Sequence, residues 1–105
     1  ISHTAATIAL LRGATIPVVE GANLTDTPIH LAVGTRNEAA AAAIMRHLIG
    51  RYGTAIGFVA ASAKDNDRMR DRRAGYLAAL KAARGRAKPE WMLECAMTMA
   101  GGHHA

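Results

Sequence analysis

The sequence predicts an α/β fold, an open parallel sheet with flanking helices, from three observations. Strand-like and helix-like stretches alternate along the chain. The segment AIGFVAA, Ala55–Ala61, is apolar at odd and even positions alike, as a strand covered on both faces requires. Half of the 105 residues are apolar, which suffices for a packed core in a chain the size of one small domain.

The elements follow in order. Small and apolar residues from His3 to Leu11 suit a short helix, with Gly13 placed to end it. Thr15–Glu20, TIPVVE, is β-branched and reads as a buried strand, Pro17 being tolerable near its start. Gly21–Pro28 collects turn formers and reads as a loop. In Ile29–Thr35, the residues Ile29, Leu31 and Val33 alternate with His30 and Ala32, a strand of period two. Asn37 is placed to cap a helix from Glu38 to Arg51, whose apolar face carries Ala41, Ile44, Met45, Leu48 and Ile49, and Gly53 closes it. After the strand Ala55–Ala61, the residues Asp65, Asn66 and Asp67 offer caps, Asp67 being the best placed, for a helix from Arg68 to Arg84. A basic loop leads to the strand EWMLEC, Glu90–Cys95, and the last ten residues begin another loop and helix. A single sheet of three or four strands is expected, with unpaired edges that suggest a piece of something larger.

Composition removes several function classes. No run of about 18 apolar residues occurs, so no membrane span is expected. Cys95 is the only cysteine; a buried structural thiol in a reducing cytoplasm is the expectation, without a disulfide framework. The histidines His3, His30, His47, His103 and His104 show no metal-ligand spacing, so no metal site and no cofactor are expected. Neither a Walker loop nor a G-x-G-x-x-G turn is present, and no catalytic constellation is found, which argues against an enzyme. The five methionines read as core filler, and Trp91 as a packing residue on its strand.

Charge is uneven. Residues 46–88 hold eleven of the thirteen Lys and Arg against Asp65, Asp67 and Asp71. Without stacking aromatics or zinc-finger spacing, this segment reads as solvated helix faces rather than a nucleic-acid footprint. Arg68, Arg70, Arg72 and Arg73 nevertheless crowd the first turns of a helix, where the backbone already carries roughly +0.5 charge and cations are unfavourable. Arg72, Gly75, Tyr76 and Ala79 form one stripe, and Gly75, lacking Cβ, lets it approach the preceding strand. Arg72 is thus the inward-facing arginine, one turn beyond a strand end, where open α/β sheets bind ligands. Two readings stand: a solvated helix terminus with surface ion pairs, or a planar donor fork for hydroxyls, a carboxylate or a phosphate.

The segments IPVVE, TPIHLAVGTRNEAAAAAIMRHLIGRYGTAIGFVAA and RMRDRRAGYLAAL, in this order and spacing, resemble the effector-binding domain of LacI/GalR-family transcriptional regulators, most closely the gluconate-operon repressor branch. The resemblance covers nearly all of the chain. It implies a two-lobed, periplasmic-binding-protein-like domain: residues 1–33 end the first lobe, 34–36 cross between lobes, and 37–105 begin the second. It further implies a cytoplasmic, homodimeric repressor whose effector is a sugar or sugar acid such as gluconate, and which reaches operator DNA through a helix-turn-helix outside this chain. The family arginine three residues before the glycine of R-x-x-G aligns with Arg72, which is expected to contact the effector. After IPVVE the family commonly places an acidic cleft residue; here Asn23 stands in its place, and Asn23 and Glu20 are the further candidates. A periplasmic sugar-binding component of a transporter would share this fold and cleft.

Overall fold

The structure, a computed structural model, describes residues 3–105. Its elements are α1 (Ala5–Arg12), β1 (Val19–Asn23), β2 (Leu31–Thr35), α2 (Asn37–Tyr52), β3 (Phe58–Ala60), α3 (Asp67–Ala82), a short 3₁₀ turn at Pro89–Trp91, β4 (Met92–Glu94) and α4 (Met99–His104). The strands are parallel and flanked by helices, as predicted, but they form two separate two-stranded sheets rather than one. In the first, β1 pairs with β2, Val19 opposite Leu31 and Asn23 opposite Thr35. In the second, β3 pairs with β4, Phe58 opposite Met92.

The two pairs are built differently. The α3 helix connects β3 to β4, the usual crossover for parallel strands. The return from β1 to β2 is made by the loop 24–30 without a helix. Polar contacts hold this tight return. The backbone N–H of Ile29 donates to Glu20 Oε2 at 2.6 Å, and that of Val18 donates to His30 Nδ1 at 3.0 Å. At the two ends, Leu24 N–H reaches Thr35 O and Leu31 N–H reaches Val18 O. The turn formers seen in the sequence thus belong partly to the strand, since β1 begins later than predicted and runs through Gly21 and Ala22 to Asn23.

Helix caps also depart from expectation. Asn66, not Asp67, caps α3, its side chain accepting from Met69 N–H at 3.3 Å. Asn37 is the first residue of α2 instead of its cap, and Arg36 occupies the cap position with no side-chain hydrogen bond. The Asn37 side chain is therefore available for other partners.

The core lies where α2 and α3 pack against β3. Tyr76 and Leu80 are fully buried, Met45 and Ala79 join them, and Leu48, Ile49, Ile56 and Phe58 close around. Tyr76 meets the Phe58 ring at 5.1 Å and donates its hydroxyl to Ile56 O at 2.8 Å. Gly75 faces α2 rather than the preceding strand. A Cβ there would collide with Glu38 O and lie 2.9 Å from Ala41 Cβ. Of the methionines, Met45 and Met69 are buried as expected, whereas Met97 and Met99 are exposed, at 69% and 96%. Trp91 sits in the 3₁₀ turn, with Lys88 Nζ 4.6 Å above its ring.

The apolar face of the first sheet, carrying Val19, Leu31 and Val33, is open to solvent. The radius of gyration is 16.4 Å, against about 13 Å for a compact domain of this length, so the two sheets form an elongated arrangement. No helix of the described residues is long and apolar enough to cross a membrane.

Two predictions follow from this packing. Gly75→Ala forces α2 and α3 apart and destabilises the fold by about 1 to 3 kcal/mol, measurable by urea denaturation. Burial raises the Tyr76 pKa above the ordinary tyrosine value. The unfolded tyrosine therefore ionises first as pH rises, so stability is unaffected below that range and falls above it. Tyr76→Phe removes this component of alkaline unfolding, read from denaturation midpoints across the alkaline range.

Candidate functional site

The C-terminal ends of β1 and β2, the start of α2 and the first two turns of α3 converge on one hydrogen-bonded chain. Arg72 Nε donates to Asn37 Oδ1 at 2.8 Å. Asn37 Nδ2 donates to Asn23 Oδ1 at 2.8 Å and, more weakly, to Thr35 O at 3.3 Å. Asn23 Nδ2 donates in turn to Asp67 Oδ2 at 2.9 Å and Asp71 Oδ2 at 2.8 Å. Asn37, at the centre, is 4% exposed.

Local backbone geometry places Asn23 in this chain. Ala22 lies in the left-handed region at φ 83°, uncommon for a residue with a Cβ. Strict alternation along a strand would give Glu20 and Ala22 the same face. Instead, the half-buried positions of β1 are Glu20 and Asn23, the phase being broken at Ala22. Opposite the break, Gly34 admits the β1 backbone, for a Cβ at Gly34 would lie 2.6 Å from Ala22 O. Distorted φ values of this kind cost of order 1 kcal/mol and tend to occur where a side chain must be aimed.

Two cavities meet here. One, of about 660 Å³, lies against β1 and includes Glu20, Asn23, Asp67, Arg68, His3 and Arg12 in its wall. The other, of about 500 Å³, lies between α2, β3 and α3, its polar wall formed by Thr35, Asn37, Arg68 and Arg72 and the rest largely apolar. Ala22 and Arg68 line both. The Arg68 Nε is buried without a hydrogen-bond partner among the described residues. A buried donor left unpaired costs about 1 to 3 kcal/mol, so this group favours an acceptor brought from outside.

The predicted site residues are distributed as follows. Arg72 and Asn23 are joined through Asn37. Arg72 is exposed overall, with only Nε engaged, and it also borders a third cavity of about 590 Å³ beside Met69 and Cys95. Glu20 shares the larger cavity with Asn23 but not the chain of amides. Its carboxylate holds Ile29 N–H and faces His3 Nε2 at 3.5 Å. Asn37, Arg68, Asp67 and Asp71 were not singled out as site residues from sequence. Asn37 reads there as an ordinary helix cap, and the two aspartates as partial relief for neighbouring arginines. The one usable signal is the clustering of charge at a helix start where cations are unfavourable.

Comparison with solved structures defines the class of this fold. Over 89% of its length the chain matches a LacI family transcriptional regulator from Silicibacter pomeroyi, with 34% identity and a TM-score of 0.78, covering 34% of that chain. Over 90% it matches the transcription regulator GntR from Chromobacterium violaceum, with 35% identity and a TM-score of 0.74, covering 33% of that chain. A further LacI-family regulator from Silicibacter pomeroyi, at 24% identity and a TM-score of 0.78, shares the fold. The chain thus spans about a third of the length of the first two proteins it matches. No family model and no curated protein matches the sequence. The fold is the periplasmic-binding-protein-like α/β fold of LacI-type effector-binding domains. The first two matched proteins are transcription regulators, one of them of the LacI family.

The amide chain gives a direct prediction. Asn23→Asp sets a third carboxylate against Asp67 and Asp71 and removes their shared donor. The variant is expected to lose about 1 to 3 kcal/mol at neutral pH. That loss shrinks as the pH falls through the carboxylate range and the crowded charges are neutralised, which urea midpoints at neutral and acidic pH would show.

Proposed function

We propose that this chain is part of the effector-binding domain of a LacI-family transcriptional repressor of the gluconate-operon type. A sugar or sugar acid such as gluconate binds between two lobes and controls, at a distance, DNA binding by a helix-turn-helix outside this chain. Residues 1–33 belong to the first lobe, 34–36 cross over, and 37–105 begin the second. The protein acts in the cytoplasm as a homodimer.

The observation that carries this reading is the joining of Arg72 on α3 to Asn23 on β1 through Asn37, across the junction of the two sheets. In this reading Arg72 grips the ligand with its terminal nitrogens. A guanidinium offers parallel donors matched to a carboxylate or to vicinal hydroxyls. Asn23 and Glu20 supply contacts from the β1 side. A ligand held by both sides at once stabilises one arrangement of the lobes, and only such unequal affinity for two arrangements can change the spacing of paired DNA-binding heads. The unpaired Arg68 Nε beside the same groove adds positive character and favours an anionic ligand.

Calorimetric titration of D-gluconate, D-glucose and D-gluconate 6-phosphate into the intact protein and its Arg72→Ala form tests the assignment. Losing a charge-assisted contact lowers affinity at least about tenfold. Equal affinities in the two proteins would remove Arg72 from the ligand site.

A further inference from the structure

The hydrogen-bond chain has a fixed direction. At one end, Asp67 and Asp71 carry carboxylates, which in their ionised form only accept. At the other, Arg72 carries a guanidinium, which only donates. An amide can do either, depending on which way it is turned. With carboxylates on its far side, Asn23 must turn its NH₂ toward them and its oxygen toward Asn37. Asn37 must then turn its NH₂ toward Asn23 and its oxygen toward Arg72. Rotating either amide by half a turn would set oxygen against oxygen or donor against donor. Both orientations therefore agree with the charged ends, Thr35 O serving as a second, weaker acceptor for the Asn37 amide, and among the described residues the buried Asn37 links Asn23 to Arg72.

This direction has a consequence for Arg72. Its Nε is taken by Asn37 Oδ1, so the side edge of the guanidinium is fixed against the start of α2. The terminal nitrogens are left as the free end of the fork, and Arg72 lines both the cavity of about 500 Å³, with Thr35 and Arg68, and the cavity of about 590 Å³ beside Met69 and Cys95. We propose that Asn37 is a positioning residue: it holds Arg72 by Nε so that the guanidinium meets a ligand end-on, and through Asn23 it makes that orientation depend on the placement of β1. This rests on the reading of Arg72 as the ligand contact. It adds a specificity rule, since an end-on fork suits two coplanar acceptors such as a carboxylate. It also adds a route by which lobe arrangement and ligand grip become one equilibrium: displacing β1 withdraws Asn23, frees the Asn37 amide to turn, and releases Arg72.

The test uses the intact protein and two readouts. The first is exchange of the Arg72 Nε–H with water, followed by ¹⁵N NMR without ligand. Exchange is expected to be slow in the wild type and in Asn37→Asp, which keeps an acceptor for Arg72. It is expected to speed up about tenfold in Asn37→Ala. In Asn23→Ala, where the Asn37 amide loses the nearer of its two acceptors and keeps Thr35 O at 3.3 Å, it speeds up about threefold or more. The second readout is D-gluconate affinity. Asn37→Ala weakens binding about tenfold, and Arg72→Ala/Asn37→Ala binds no worse than Arg72→Ala alone, because Asn37 acts only through Arg72. Asn37→Asp retains affinity. Unchanged Nε–H exchange in Asn37→Ala, or additive losses in the double variant, would overturn the proposal. Should Asn37→Ala fail to fold, Asn23→Ala decides, and unchanged exchange there overturns it equally. If Arg72→Ala binds D-gluconate like the wild type, the effector reading fails. Faster exchange in Asn37→Ala would then mark Asn37 as a structural clamp, and the positioning role would be withdrawn.

Discussion

A run of acceptor-only carboxylates, two amides and a donor-only guanidinium organises the junction of this protein. Each group fixes the orientation of the next, from Asp67 and Asp71 through Asn23 and Asn37 to Arg72. Buried or half-buried polar groups are costly unless paired, so the whole set tends to form or fail together. That requirement explains departures elsewhere. Asn37 leaves the capping role that its position suggests, and Ala22 takes a left-handed backbone that turns Asn23 toward its partners. Gly34 lets the strands close around that distortion.

Around the junction, packing is economical. The principal core is small and belongs to α2, α3 and β3, with Tyr76 and Leu80 at its centre. Gly75 brings the two helices close enough to hold it. The β1–β2 pair has no comparable core, and its tight return is held by polar contacts from Glu20 and His30. Its link to the rest of the molecule includes the amide chain, a set of directional hydrogen bonds rather than an interdigitated apolar surface. Hydrogen bonds of this kind contribute about 1 kcal/mol each, small enough to exchange for contacts to a ligand. A junction so made suits a molecule whose two parts change their relation.

The resemblance read from the sequence places an acidic side chain where this chain has Asn23. The structure locates carboxylates at the same junction, but on α3, where Asp67 and Asp71 share the Asn23 amide. The polarity of the junction is thereby set from the helix side. The crowd of arginines on α3 finds a partial rationale here too. Arg72 ends the amide chain and Arg68 borders both cavities, while Arg70 donates to Ala63 O at 3.3 Å and Arg73 is exposed.

Much of the architecture was legible in the residues. Periodicity located each helix to within a few positions, continuous apolar character marked β3 although its Val59 is exposed rather than covered, and the strand–helix alternation announced the parallel pairing of β3 with β4, because these patterns reflect local geometry. Arg72 stood out because cations at a helix start need a reason. What local pattern could not reveal was the division into two sheets, the displacement of β1 toward Asn23, the use of Asn37, and the choice of Asn66 over Asp67 as the cap of α3. An asparagine before a helix is equally suited to cap it or to join a distant partner, and Asn66 took the cap while Asn37 did not. Sequence alone determined which residues could donate and accept. Only the tertiary structure, by bringing β1 and α3 together over more than forty residues of chain, decided which of them do so with one another.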